Sequence, residues 1–239
     1  MQNDNVKLLG TSSPPPESSE SKNGGNNRLS DGLTRQNIIL MSGIAIGPVA
    51  VVANNFVNAV ALAAGFSVIA FLSVSICRFI PRKIVYTIRV ILYALIGALS
   101  VIPAYLLVSH SYGREVADAL GVYLPILAVN PLILTKTETR FSLRPPHLML
   151  VELCGYITGF NIVCVAIGIA RDILVNRRIG SLDFDVGFTI PAASATFGGL
   201  VIIGIMAGVF RGLYNRGKEK RAELLEKERL HKEMLEKLG

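Results

Sequence analysis

The chain has 239 residues, of which 51% are hydrophobic and 17% charged, and its formal net charge is +7. That charged share is below the roughly 25% of soluble domains, and the apolar residues come in long runs, so an ordinary soluble domain is excluded and an integral membrane protein expected. Lys and Arg lie between the runs and in the C-terminal tail, where flanking charge orients membrane spans; the positive charge needs no nucleic acid to explain it, and no nucleic-acid partner is expected.

Residues 1–34 contain stretches such as TSSPPPESSESKNGGNN and almost no large apolar side chains. They cannot bury enough surface to offset chain entropy and are predicted to be disordered. They also lack the basic-then-apolar layout of a signal peptide, so insertion is expected to begin with the chain's own first span.

Six apolar segments follow, giving a membrane domain over 38–213. The first, Ile38 to Ala53, is short against the ~20 helical residues a bilayer requires and is interrupted by Gly47-Pro48, with Asn54 just beyond. The second, Phe56 to Cys77, stops at Arg78-Phe79-Ile80-Pro81-Arg82-Lys83. The third, Ile84 to Val108, has Arg89 near its start, where a long side chain is expected to snorkel to the interface. The fourth, around Leu120 to Thr135, carries Pro125 and Pro131 with Asn130 between them. Broken helices of this kind persist in a bilayer where the freed backbone groups face protein or a polar cavity. The fifth runs from Leu148 to Ala170, and the sixth, Val186 to Phe210, is rich in Gly and Ala, which permits close helix packing. The tail, 215–239, alternates charges with Leu224, Leu230, Met234 and Leu238, the pattern of a solvated cytoplasmic helix with one apolar stripe.

With the N-terminus inside, the inner loops and the tail hold most of the Lys and Arg, and the outer loops hold only Arg114, Arg171, Arg177 and Arg178. Both termini are therefore predicted to be cytoplasmic, in a multi-pass protein of the cell membrane. The first and fourth segments share a proline, an apolar run and an asparagine. Cys77-Arg78 through Lys83 and Ala170-Arg171 through Arg178 each follow the second span of a three-span half. These correspondences predict an all-α membrane fold built as an inverted three-plus-three repeat, with its first and fourth spans broken.

Cys77, Cys154 and Cys164 have no metal-ligand spacing and read as small buried hydrophobes. Asn54, Asn55, Asn58, Asn130 and Asn161 are expected near half-height in the membrane, where they can satisfy backbone groups freed by the breaks. Glu152, inside the fifth segment, is either an interfacial carboxylate or a functional one. Ala193-Ser194-Ala195-Thr196 faintly resembles a flavin-attachment pattern but lacks its glycine, and no flavin is expected there.

Taken together, Ala119 to Asn130, Gly168 to Leu174, Arg78-Phe79-Ile80-Pro81 and the Gly-rich sixth segment resemble the Rnf/Nqr electron-transport family. The likeness is to its small D/E-type (RnfE-like) six-span membrane subunit and covers residues 38 to 213. The resemblance implies a subunit paired with an inverted paralogue among other Rnf/Nqr-like membrane subunits in the lipid bilayer. Each partner would supply one cysteine from its first and one from its fourth broken span to a shared [2Fe-2S] cluster. This chain has Gly47 and Pro131 at those two positions, neither of which can ligate iron. No cofactor is therefore expected in this chain.

The resemblance also matches Glu152 to an acidic residue of the family's fifth span, which makes Glu152, Asn54 and Asn130 the ion-path candidates and Pro48, Pro125 and Pro131 the broken-helix positions. Two functions remain open. One is a non-catalytic, scaffold-type membrane subunit of an ion-translocating electron-transport complex. The other is a diverged paralogue serving as a transporter or membrane anchor without electron transfer.

Overall fold

The computed structural model describes residues 39–40, 43, 45–139, 141, 145–179, 182–183 and 189–238. The segment 1–34, expected to be disordered, lies outside the described residues, as do Arg140, Arg144 and the expected start of the sixth segment at Val186.

The chain folds into helices α1 (Ile46–Val52), α2 (Phe56–Cys77), α3 (Tyr86–Leu99), α4 (Val101–Tyr112), α5 (Arg114–Leu120), α6 (Tyr123–Ala128), α7 (Pro131–Thr139), α8 (Pro146–Asn176) and α9 (Thr196–Leu238). A two-residue antiparallel pair, Arg178–Ile179 with Leu182–Asp183, and a 3-10 turn at Pro191–Ser194 join α8 to α9. Among the described residues, four stretches are long and apolar enough to cross a membrane: Phe56–Cys77, Tyr86–Tyr112, Pro146–Asn176 and Thr196–Lys220. Within the remaining apolar segments the described residues include the short helices α1 and α5–α7.

Local chemistry sets the boundaries. Asn55 caps α2, its Oδ1 accepting from Asn58 N at 2.8 Å. Pro146 opens α8, where a missing N–H costs nothing, and Arg177 closes it in the left-handed region at φ 54°. The third segment, expected to be one helix, divides at Ser100, because Pro103 has no N–H to offer the preceding turn. Ser100 turns its Oγ back to Ile96 O at 2.8 Å. The sixth begins at Thr196, ten residues later than expected, because Pro191 first sets up the 3-10 turn and Ala195 stays extended.

The prolines of the short helices sit differently from what their break-forming reputation suggests. Pro48 and Pro125 each occupy the third position of their helix, and Pro131 the first. First-turn N–H groups have no intrahelical acceptor, so a proline there starts a helix without breaking one. The interruptions themselves fall at Gly121, with φ 29°, and around Val129–Asn130.

The core is the α2–α8 pair, antiparallel and in close contact. Arg78 lies near Met149, Phe66 against Phe160 with ring centroids 4.1 Å apart, Ser67 near Asn161, and Phe56 near Asp172. Gly168 is required at this crossing: a Cβ would collide with Ala59 Cβ and lie 3.0 Å from Asn55 O. Gly97 of α3 likewise admits the end of α6, since a Cβ there would be 2.6 Å from Ala128 O. The third segment and α9 lie outside this core and turn large apolar side chains outward, among them Ile91, Leu95, Leu106, Val201, Ile205 and Val209. That is the surface a bilayer or a membrane partner covers.

Candidate functional site

Two polar clusters close the α2–α8 pair, one at each end. The first centres on Arg171, which is 0% exposed and lies inside α8, five residues before its end. Nε donates to Ala193 O at 2.9 Å, Nη1 to Ala50 O at 2.6 Å and Ala53 O at 3.2 Å, and Nη2 to Ser194 O at 2.6 Å and Ala195 O at 3.2 Å. A guanidinium has five N–H donors, so its whole fork is engaged. Ala50 and Ala53 belong to the C-terminal end of α1, where orphan carbonyls carry partial negative charge. The charge pattern of the sequence puts Arg171 in an outer loop; it is instead a buried clasp joining α1, α8 and the start of α9. Gly198 and Gly199 permit the approach, since a Cβ at Gly199 would lie 2.6 Å from Ala50 O and 2.9 Å from Arg171 Nη1. Ala193-Ser194-Ala195 thus has a structural role, three carbonyls for one arginine, and Ser194 Oγ bonds Pro191 O at 2.8 Å.

Next to it, Asp172 accepts from Phe56 N at 3.4 Å, an acid at the start of α2, and from Asn176 Nδ2 at 2.7 Å. Asn54 is exposed at this same end, linked to Asn58 Nδ2 at 2.9 Å. It therefore lies just before the N-terminus of α2.

The second cluster gathers around Glu138 at the end of α7. Its carboxylate forms an ion pair with Arg89 of α3 and accepts from Tyr93 OH at 2.9 Å. Arg89 also donates to Arg82 O at 2.8 Å and Ile84 O at 3.3 Å, while Arg82 Nη2 donates to Glu138 O at 2.8 Å. Arg89 was expected to snorkel; it is buried because a carboxylate within reach satisfies its charge better than the interface does. Arg78 Nη1 reaches Phe141 O at 3.4 Å, and Lys136 Nζ stands 5.5 Å from the Tyr156 ring centroid. Glu152 is on this side, 4% exposed, one turn before Tyr156 on α8. Asn130, also 4% exposed, sits at the α6–α7 junction.

Of the ion-path candidates, Glu152 and Asn54 are thus held at opposite ends of α2–α8, about 30 Å apart along the helices at 1.5 Å per residue. Sequence reasoning missed Glu138 and Tyr93. The available signal was Arg89 and Tyr93 at i and i+4, one helix face, with an acid following the fourth apolar segment.

The donor set does not fit an iron-sulfur cluster at the two positions where the resemblance would place thiolates. Gly47 has no side chain, and a Cβ built there meets nothing within 4 Å, while Pro131 has no donor atom. Cys164 is buried with Sγ 3.5 Å from Ala59 O, Cys77 is buried at the far end of α2, and Cys154 is exposed. Cys154 and Cys164 are ten residues apart on α8, about 15 Å.

A family model described as "Rnf-Nqr subunit, membrane protein" matches residues 26–215. The chain belongs to the Rnf-Nqr subunit family. Both clusters, and positions 47 and 131, fall inside the Rnf-Nqr match. The chain is also 25% identical over 151 residues to the E-type subunit of the ion-translocating oxidoreductase complex of Sodalis glossinidius (strain morsitans), covering 63% of this chain and 65% of that protein. It is 26% identical over 154 residues to the protein of the same name from Haemophilus ducreyi, covering 64% and 67%, and 23% over 148 residues to that of Pasteurella multocida, covering 62% and 66%. The chain therefore spans about two thirds of the length of these relatives. Membership and the four long apolar helices together make it a multi-pass membrane protein.

Proposed function

We propose that this chain is the D/E-type membrane subunit of an Rnf/Nqr-like ion-translocating electron-transport complex, a scaffold half beside an inverted paralogue. The observation that carries this reading is the family match over residues 26–215, joined by relatives named as the E-type component of an ion-translocating oxidoreductase complex. In this reading α1 with the residues before it, and α5–α7, are the broken first and fourth spans of an inverted three-plus-three repeat. Both termini face the cytoplasm, across the cell membrane.

Support for the repeat comes from the α2–α8 crossing. Gly65-Phe66-Ser67 and Gly159-Phe160-Asn161 recur at one offset, 94 residues, and meet there: the two rings pack at a 35° tilt and Asn161 Nδ2 donates to Ser67 Oγ at 2.9 Å. A two-fold axis in the membrane plane would bring equivalent residues into contact at such a point. Glu152 is the leading ion-path residue, with Asn54 and Asn130 as further candidates, and the chain supplies no ligand to a cluster.

Gly47 and Pro131 favour a second reading, a diverged paralogue that serves as a transporter or anchor without electron transfer. Co-purification separates the two: the complex reading expects flavin-carrying and NADH-binding Rnf/Nqr subunits with the tagged chain, and a chain purified without them overturns it. In the assembled complex, Glu152→Gln is expected to reduce ion-coupled activity in vesicles while leaving assembly intact. Low-temperature EPR on the purified chain is expected to give no [2Fe-2S] signal. A signal abolished by Cys77→Ala, Cys154→Ala or Cys164→Ala would contradict the scaffold assignment. For orientation, a cysteine placed at Lys136 should resist a membrane-impermeant reagent in intact cells, and one at Arg114 should react.

A further inference from the structure

The two buried arginines are held to different degrees. Arg171 engages its whole fork, and Arg89 does not. Nη1 of Arg89 donates to Arg82 O at 2.8 Å and Ile84 O at 3.3 Å, and Nη2 pairs with the Glu138 carboxylate. Its Nε is buried with no acceptor among the described residues. A guanidinium left one donor short fits its cage imperfectly.

The cage itself is a set of oxygens. Arg82 and Ile84 lie in the connection between α2 and α3, so their carbonyls are not taken up by a helix ladder. Glu138 adds one carboxylate, whose other oxygen accepts from Tyr93 OH at 2.9 Å. Arg82 Nη2 donates to Glu138 O at 2.8 Å, which holds the end of α7 against this connection. Two carbonyl oxygens and a carboxylate oxygen therefore surround a space filled by one end of a guanidinium, with a single negative charge to balance. Hard oxygen donors with that charge suit a monovalent alkali cation. The cage lies near the protein's surface: the Arg89 and Glu138 side chains are 10% and 16% exposed, and Arg82 and Lys83 beside them are exposed.

We propose that this cage is a monovalent-cation site in which Arg89 is the resident, tethered cation, and that an alkali ion exchanges with it at Glu138. The Arg171 cage has no carboxylate and no idle donor, so the same exchange does not occur there. The inference rests on the ion-translocation reading for its role alone; the site is a property of this chain. In that role Glu138 is a station on the ion path, and Arg89 returns to the carboxylate when the ion leaves. The buried charge is then compensated at every stage.

Binding of radioactive sodium to the purified full chain in mild detergent tests the site. Wild type should show weak, saturable binding. Potassium and millimolar guanidinium, a free copy of the Arg89 group, should compete, and N-methylglucamine at the same ionic strength should not. Glu138→Gln should abolish the binding. Arg89→Ala should tighten it about tenfold, because the resident competitor is gone and every molecule is competent to bind. Asp118→Asn, which removes an exposed carboxylate bonded to Tyr105, should change nothing. If Arg89→Ala does not fold, Arg89→Gln, which keeps most of the side-chain volume, should tighten binding in the same direction. Binding unaltered by Glu138→Gln, or no tighter in a folded Arg89 variant, would overturn the proposal. So would wild-type binding that guanidinium does not reduce, a result that needs no variant at all. Ion movement by the assembled complex in vesicles separates the site from the reading behind its role. Movement without sodium binding by this chain overturns the site and leaves the reading; binding without movement keeps the site and overturns the reading.

Discussion

At one end of the α2–α8 pair a buried arginine is held entirely by backbone carbonyls; at the other a buried arginine is held by a carboxylate, a tyrosine-linked one, with carbonyls in support. The difference concerns what each end depends on. Arg171 depends on where the chain runs, since carbonyls belong to every residue, and no neighbouring side chain can be changed to release it. Arg89 depends on Glu138, so substitution or a competing cation can dissolve that end. A fixed clasp and a displaceable ion pair thus face each other across one helix pair, and substitutions should tell them apart.

The largest effect is expected from Arg171→Ala. Removing the guanidinium strands five carbonyls and should cost about 3–5 kcal/mol, the range for breaking a buried charged network. Arg171→Lys should recover only part, because an ammonium offers three donors and no planar fork. Chemical unfolding in detergent followed by circular dichroism measures both. A loss under ~1 kcal/mol for Arg171→Ala would mean that the cage is not structural.

Next come Glu138→Ala and Arg89→Ala, each leaving a buried charge behind, at about 2–4 kcal/mol apiece. The double variant should be less damaging than the two added together, with a coupling of about 1–3 kcal/mol. Additive losses would show that the pair does not act as a unit. Gly168→Ala follows, at about 1–3 kcal/mol, because Ala59 and the Asn55 carbonyl must move aside.

The smallest effects belong to Tyr93→Phe and Gly47→Ala. The tyrosine hydrogen bond should be worth about 0.6 kcal/mol, the average for such bonds between membrane helices. Gly47→Ala should be neutral or stabilising by up to about 1 kcal/mol, since helix α1 gains a better former and the new methyl meets no atom.

These clusters also mark how far the sequence could be read. The apolar segments were legible because bilayer thickness imposes a minimum run on any chain that crosses it, and the four long helices fall where those runs lie. The stop at Arg78 and the start at Pro146 were legible for the same reason: charge and proline act locally. Arg89 and Arg171 were misread because their partners are distant in the chain: Glu138 lies 49 residues from Arg89, and Ala50 lies 121 from Arg171. Sequence around a charge says that it needs compensation without saying by whom. The prolines carry a subtler signal. A proline both ends one helix and begins another, and only the backbone shows that Pro48, Pro125 and Pro131 fall in first turns.

Helix α9 carries a mechanical consequence. It continues without interruption from Thr196 to Leu238, so the 18 residues past Lys220 extend the membrane segment by about 27 Å as one rod. Such a rod is a lever whose short arm is pinned where Gly199 touches Ala50 and the Arg171 fork. A partner that grips the far end exerts torque on the Arg171 clasp, and a small rotation at the clasp becomes a wide sweep at the tip. Distance measurements from a spin label near Met234 would therefore magnify any motion of α1 against α9, with Gly212 and Gly217 as the points where the rod would bend first.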